Sequence, residues 1–202
     1  MLASWRVRPL AALGLPAPPP FALASHACRL TAAFTLRGLD VWPALAPAGG
    51  AFLATTFAAL QACAAGSACN TTALTAPSTP HAPLLTLPPV PAGVDPFTPT
   101  LTLLAPVCAG SHVALFGEPA KFATLSIQRF TALSCTPSGV AMSLVGPAGE
   151  TLTLAWWAPA LPGGGAGMAF GNATLPGSGG TPGASLSCEA KADGSLACGG
   201  AA

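Results

Sequence analysis

Charged side chains are scarce in this chain of 202 residues, of which 6% are Asp, Glu, Lys or Arg. Soluble domains typically carry about 25% of these residues, so something other than charge must keep this surface hydrated. None of the four types occurs between Asp40 and Asp95. The formal net charge of +1 provides no electrostatic footprint for nucleic acid or for an anionic membrane surface.

Catalytic and metal-binding motifs are also missing. The sequence has no GxSxG elbow, no Walker loop and no HExxH pair, and its six carboxylates offer no local acid and base pair. His26, His81 and His112 have no ligand-spaced neighbours. We therefore expect no catalytic residues, no metal and no cofactor. A triad assembled from distant residues stays open, because geometry defines such a site.

Residues 1–27 have the three-part layout of a secretory signal. Arg6 and Arg8 precede an apolar stretch without acidic residues, and small residues follow at Ala22-Leu23-Ala24 or Ser25-His26-Ala27. Four prolines interrupt the apolar stretch, and an arginine-bearing, acid-poor leader also suits an organelle transit peptide. We predict a signal or targeting peptide, with an organelle lumen as the alternative to secretion.

Both asparagines of the chain, Asn70 and Asn172, lie in acceptor sequons for N-linked sugar. With the Ser and Thr content of this sequence, chance would place both in sequons roughly 3% of the time. The sequons predict a glycoprotein that is extracellular or exposed at the cell surface or cell wall.

Seven cysteines, none in a CxxC pair, predict disulfide bonds rather than zinc or thioredoxin chemistry. The firmest pair is Cys188 with Cys198. A three-residue turn ending in a left-handed Gly194 would place them opposite each other, about 4.5 Å apart at Cα. A two-residue Asp193-Gly194 turn would instead shift the register and separate them.

A second predicted bridge joins Cys63 to Cys69, because Gly66 suits the end of a helix and lets the chain fold back. Two of Cys28, Cys108 and Cys135 would form a third bridge. The odd cysteine would then stay free or link another chain. Free buried thiols are the alternative use for all seven.

Chain organisation divides into a strand and helix unit, 28–74, a proline-rich linker or loop, 75–99, and a β-rich region, 100–202. Residues 28–42 alternate as a strand does, and Leu53, Phe57, Leu60 and Ala64 recur at the spacing of a helix of about fifteen residues. That helix is too short to span a membrane.

The β-rich region shows repeated strand signals between Gly and Pro. They fall at Leu101–Leu104, Val113–Phe116, Phe122–Leu133, Val140–Val145 and Thr151–Trp157, and a glycine-rich loop is expected at Gly163–Gly171. We expect an α+β fold, predominantly β: an antiparallel sheet or sandwich with one buried helix near the amino terminus and a disulfide-closed hairpin at the carboxy terminus.

Trp156 and Trp157 are adjacent at a strand end, so they should face opposite sides of the sheet. The indole that reaches solvent could stack on a sugar ring, or it could pack under the neighbouring loop. We expect a non-catalytic secreted, cell-surface or cell-wall glycoprotein module whose partners are glycans or other extracellular proteins. The alternatives are a carbohydrate-binding module using Trp156 or Trp157, and a secreted hydrolase using His81 or His112.

Overall fold

The computed structural model describes residues 22–26, 34–37, 51–75, 83–87, 100–177 and 183–200. This part of the chain is mostly antiparallel β-sheet with one short helix, α1, at Phe57–Ala64. Its strands are β1 (Ala22–His26), β2 (Phe34–Arg37), β3 (Ala51–Thr56), β4 (Thr72–Thr75), β5 (Pro83–Leu87), β6 (Thr100–Pro106), β7 (Ala114–Gly117), β8 (Phe130–Cys135), β9 (Gly139–Gly146), β10 (Thr151–Ala158), β11 (Gly167–Thr174), β12 (Ala184–Lys191) and β13 (Leu196–Gly200).

Three sheets contain most of these strands, and each is named here by an inner strand. The β6 sheet has the order β1-β6-β3-β4, the β10 sheet the order β11-β10-β7, and the β12 sheet the order β13-β12-β9-β8. Strands β2 and β5 form a separate pair. All of these pairings are antiparallel.

Strand β10 contributes to two hydrophobic clusters because its side chains alternate between the faces of its sheet. Leu152, Leu154 and Trp156 belong to a cluster shared with the β12 sheet. Ala155 and Trp157 belong to a second cluster, which includes residues of β3, β6 and α1. Packing on both faces explains the continuous apolar run of this strand.

The expected helix of about fifteen residues is wrong in length, because its first half is strand β3. Ala51–Thr56 pairs with both β4 and β6, and Phe52 and Leu53 are buried there. Thr56 then caps the helix, since its hydroxyl accepts a hydrogen bond of 3.1 Å from the backbone N–H of Ala59. Pairing with two strands satisfies the backbone hydrogen-bonding groups of residues 51–56. This pairing favours a strand there despite the helical spacing of Leu53 from the apolar residues that follow.

The expected strand Phe122–Leu133 is also corrected, since β8 begins only at Phe130. Residues 118–129 form a loop in which the N–H of Glu118 donates to the carbonyl of Thr124 at 2.8 Å. The N–H groups of Arg129 and Phe130 both donate to the carbonyl of Ser126. Leu125 is buried and Ile127 is exposed. In a strand these two residues would lie on the same face, so their different burial is consistent with a folded loop.

The glycine-rich segment Gly163–Gly171 was expected to be a loop, but strand β11 begins at Gly167. Its pairing with β10 runs without interruption from Ala158 opposite Gly167 to Thr151 opposite Thr174. The loop is therefore confined to residues 159–166. A Cβ at residue 171 would lie 3.0 Å from the indole of Trp156, so glycine there lets the ring cross the strand.

The segments nearer the amino terminus are described in part. The expected strand at 28–42 contains β2, and the proline-rich stretch at 75–99 contains β5, which among the described strands pairs with β2. Strand β1 lies within the predicted targeting peptide and pairs with β6. Cleavage after Ala24 would cut β1, and the targeting peptide stays a prediction. In the described ranges, no helix has the length and apolar character needed to cross a bilayer.

Candidate functional site

The carboxy-terminal hairpin closes as its sequence predicts. The N–H of Lys191 donates to the carbonyl of Ser195 at 2.9 Å, and Gly194 adopts a left-handed φ of 81°. This three-residue turn places Cys188 opposite Cys198, with 4.1 Å between their Cα atoms, and the two are joined by a disulfide. The turn is tightened by the carboxylate of Asp193, which accepts hydrogen bonds from the backbone and hydroxyl of Ser195.

A disulfide joins Cys63 in the last turn of α1 to Cys69 beyond it. The N–H of Gly66 donates to the carbonyl of Cys63, and the N–H of Ser67 donates to the carbonyl of Ala62, both at 2.9 Å. These two bonds and the φ of 93° at Gly66 form a Schellman motif. The motif reverses the chain, so the six-residue separation of the cysteines can be bridged.

The third disulfide joins Cys108 to Cys135, which stand before β7 and at the end of β8. The sequence left this pairing open among three cysteines, because the two residues are brought together only by the sheets. Cys28, the remaining candidate, lies outside the described residues. The six cysteines within the described ranges are all paired.

Both sequon asparagines have exposed side chains. Asn70 directly follows the bridged Cys69, and its carbonyl accepts a 2.8 Å hydrogen bond from the hydroxyl of Thr55. Asn172 lies in β11, where its Oδ1 accepts a 2.9 Å bond from the hydroxyl of Thr153. An N-linked sugar attaches at the other amide atom, Nδ2, so this bond is compatible with glycosylation.

The tryptophan pair faces opposite sides of β10, and Trp156 is completely buried. Its indole N–H donates to the carbonyl of Lys191 at 3.2 Å. Stacking on a ligand is therefore excluded for Trp156, because its ring is needed in the core. Trp157 is partly buried and packs against the cluster that β10 shares with β6 and α1, so it alone retains the candidate role.

A cluster of charged side chains surrounds Arg129, and no local sequence pattern indicates it. The guanidinium makes two bonds of 2.7 Å to the carboxylate of Glu150 and one of 3.2 Å to Glu118. The ammonium of Lys121 lies 2.9 Å from Glu118. A Cβ on Gly146 would overlap Nη1 of Arg129, so any larger residue there would displace the guanidinium from its present position against β9.

The pairing of Arg129 with Glu150 favours the charged form of both groups. Hydrogen bonds from Arg129 hold the pKa of Glu150 below its ordinary value, and the pairing with Glu150 raises the pKa of Arg129. Arg129 also donates to the carbonyl of Val145 at 3.1 Å. The cluster thus fastens loop 118–129 to the turn between β9 and β10, which is a structural role.

A shallow groove of about 490 Å³ lies on the β12 sheet. Small side chains and hydroxyls line it: Ala132, Ser134, Thr136, Ala141, Met142, Ser143, Ser187, Cys188, Glu189, Ala197, Cys198 and Gly199. One oxygen of Glu189 accepts hydrogen bonds from the hydroxyls of Ser138 and Thr136, which lower the pKa of this carboxyl. Without an aromatic platform or a second charge among its lining residues, the groove has no evident reactive centre.

Of the two candidate histidines, the structure describes only His112. His112 is exposed, and its side chain makes no hydrogen bond to a described serine or carboxylate. His81, the other candidate base, lies outside the described residues. In the part of the chain that the structure describes, no three His, Cys, Asp or Glu side chains are grouped to hold a metal ion.

Comparisons with protein-family models, curated proteins and solved structures find no match to this chain. The features that bear on its function are three disulfides, two exposed sequon asparagines and a low content of charged residues.

Proposed function

We propose that this chain is a non-catalytic, disulfide-bonded glycoprotein module that enters the secretory pathway and acts through its surface outside the cell or in the cell wall. The observation that carries the proposal is the pairing of all six described cysteines. Disulfides persist in oxidising compartments and are rare where thiols are kept reduced. An organelle-lumen protein, by contrast, would carry reduced thiols and no sugar.

The exposure of Asn70 and Asn172 supports glycosylation, because a sequon walled into the core could not hold a sugar in the folded protein. Attached sugar would also explain how a surface with so few charges stays hydrated. Hydroxyl groups contribute the rest, as on the groove of the β12 sheet, where Ser134, Ser143 and Ser187 occur.

The fold proposed for this module is a sandwich in which the β10 and β12 sheets pack face to face. Support comes from the cluster that contains Leu154 and Trp156 of one sheet together with Leu144 and Leu186 of the other. The helix α1 would cover the opposite face of the β10 sheet, since Leu60 and Cys63 share a cluster with Ala155.

A carbohydrate-binding module is the second candidate, and Trp157 favours it. This residue precedes the loop 159–166 and is partly buried rather than enclosed. A glycan array, with Trp fluorescence quenching of wild type and Trp157→Ala, tests this role. Binding lost in the variant would support it, and binding to no polysaccharide would remove it.

The proposed compartment is tested by intact mass of the protein secreted from a eukaryotic host, before and after reduction and deglycosylation. Wild type should lose sugar from two sites, while Asn70→Gln and Asn172→Gln should each lose one. Each bridge should add two hydrogens on reduction. An unglycosylated protein whose mass does not change on reduction would overturn the proposal.

A further inference from the structure

Strand β11 forms an outer edge of the β10 sheet. The sheet order is β11-β10-β7, and no other described strand pairs with the far side of β11. Its eight residues, Gly167–Thr174, include neither a charge nor a proline. Long edges of this kind can pair with another chain, and natural proteins usually block them with charge, proline or a cover.

The backbone pattern shows which groups face the free edge. The N–H of Leu175 donates to the carbonyl of Glu150 at 2.9 Å, and its carbonyl accepts from the N–H of Gly149 at 3.0 Å, so both backbone groups of Leu175 face the strand that continues into β10. Bonded and non-bonded pairs alternate in antiparallel strands. Ala173 and Gly171 therefore direct their backbone groups toward β10, and Phe170, Asn172 and Thr174 direct theirs away from it.

Side-chain bonds agree with this assignment, because side chains approach most closely at non-bonded pairs. The hydroxyls of Thr151 and Thr174 lie 3.0 Å apart, and Thr153 bonds to Asn172 at 2.9 Å. Asn172 is thus both an exposed sequon asparagine and a residue whose own N–H and C=O face the open edge.

The neighbouring sheet presents a similar edge nearby. Strand β13 is the last strand of the β12 sheet, and a Cβ at residue 171 would lie 2.9 Å from Leu196 of β13. Leu196–Gly200 also lacks charge and proline. The other sequon, at Asn70, ends at Thr72, the first residue of the outer strand β4. Both sequons therefore lie at sheet edges.

We propose that an N-linked glycan on Asn172 covers the free edge of β11 and keeps the protein monomeric. The partner that it excludes is a second copy of this chain, paired antiparallel through the same strand. This inference rests on the proposed glycosylation. A branched, hydrated sugar beside the outward N–H and C=O of residue 172 replaces the charges that edge strands usually carry.

The test compares four secreted proteins by light scattering at matched concentrations. Wild type and Thr174→Ser, which keeps the sequon, should be glycosylated monomers. Asn172→Gln should show about twice the mass of one chain. Asn172→Lys also lacks the sugar, but its charge on the edge should keep it monomeric. Hydrogen exchange should then show protection of the amides of Phe170 and Thr174 in the Asn172→Gln dimer only.

Two results would overturn the inference: a monomeric Asn172→Gln protein, or association of Asn172→Lys equal to that of Asn172→Gln. Either result, with sugar present on wild-type Asn172, leaves the glycoprotein proposal standing. A wild-type protein without sugar at Asn172 contradicts the proposed glycosylation itself. Urea denaturation of each variant shows whether it is folded, and Asn172 is exposed, so its replacement should leave the core intact.

Discussion

Arg129 links two carboxylates that stand far apart in the sequence. Its side chain is 12% exposed, and that of Glu118 is 7% exposed, so both charges depend on each other and on Glu150. Lys121, which reaches Glu118 from outside, is 47% exposed. Removing Arg129 should therefore lower the free energy of unfolding much more than removing Lys121. Solvent screens the exposed pair of Lys121 with Glu118 more strongly than the buried pair of Arg129 with Glu118.

Arg129→Met should lower the free energy of unfolding by about 2 to 4 kcal/mol, because it leaves the carboxylate of Glu118 buried and unpaired by the guanidinium. Lys121→Ala is the matched control and should cost less than about 1 kcal/mol. Urea denaturation of both variants measures the difference. Equal losses would show that Arg129 does not hold the loop.

The acid dependence of stability follows from the depressed pKa values of Glu150 and Glu189. Hydrogen bonds from Arg129 lower the pKa of Glu150 below its ordinary value of 4.5. Hydrogen bonds from the hydroxyls of Ser138 and Thr136 lower the pKa of Glu189. A carboxyl with a depressed folded-state pKa stabilises the fold above its unfolded value, and that stability is lost as pH falls through the folded pKa.

We therefore expect the free energy of unfolding to be level above about pH 5 and to fall below about pH 4.5. In Arg129→Met the decline should be shallower, because the main cause of the low pKa of Glu150 is gone. Urea titrations at pH values from about 6 to 3 measure both slopes. A wild-type protein that becomes more stable on acidification would contradict the assignment.

The orientation of a single side chain was predictable where its neighbours in the sequence determine it. Alternation along β10 predicted that Trp156 and Trp157 face opposite ways, but the covering sheets determine how far each is buried. The cluster around Arg129 could not be predicted, because Glu118 and Glu150 reach it from separate loops.

Among the elements, the hairpin of β12 and β13 was predictable from its local sequence, whereas strands β3 and β11 were not. Its turn, register and bridge all depend on contacts within residues 188–198, so local rules predict it. The assignment of β3 depends on pairing with β6, which begins only at Thr100, and that of β11 depends on pairing with β10. The glycines of β11 led to the prediction of a loop, but Gly171 is part of the strand and leaves space for the indole of Trp156.

The contribution of each disulfide to the free energy of unfolding should increase with the length of the loop that it closes. The sequence separations are 27 for Cys108 and Cys135, 10 for Cys188 and Cys198, and 6 for Cys63 and Cys69. Chain entropy predicts losses of about 3.5, 2.7 and 2.2 kcal/mol for the three double alanine variants. Urea denaturation under non-reducing conditions measures them, and a reversed order would show that local packing outweighs loop closure.

At the scale of the whole molecule, composition and pattern predicted an antiparallel, mostly β chain with one helix and disulfides, although the helix is shorter than expected. Sheet order was not predictable, because β1 pairs with β6 and β7 pairs with β10 across long stretches of chain. No turn signal encodes such pairings. They depend on which apolar faces can be covered together, as the two clusters around β10 show.

We propose that three specific crosslinks hold this weakly charged chain together in an oxidising compartment. Peptide mapping of the unreduced, secreted protein would identify these crosslinks. The account predicts linked peptides for Cys63 with Cys69, Cys108 with Cys135, and Cys188 with Cys198. Free thiols at these positions, or a different set of linked peptides, would contradict it.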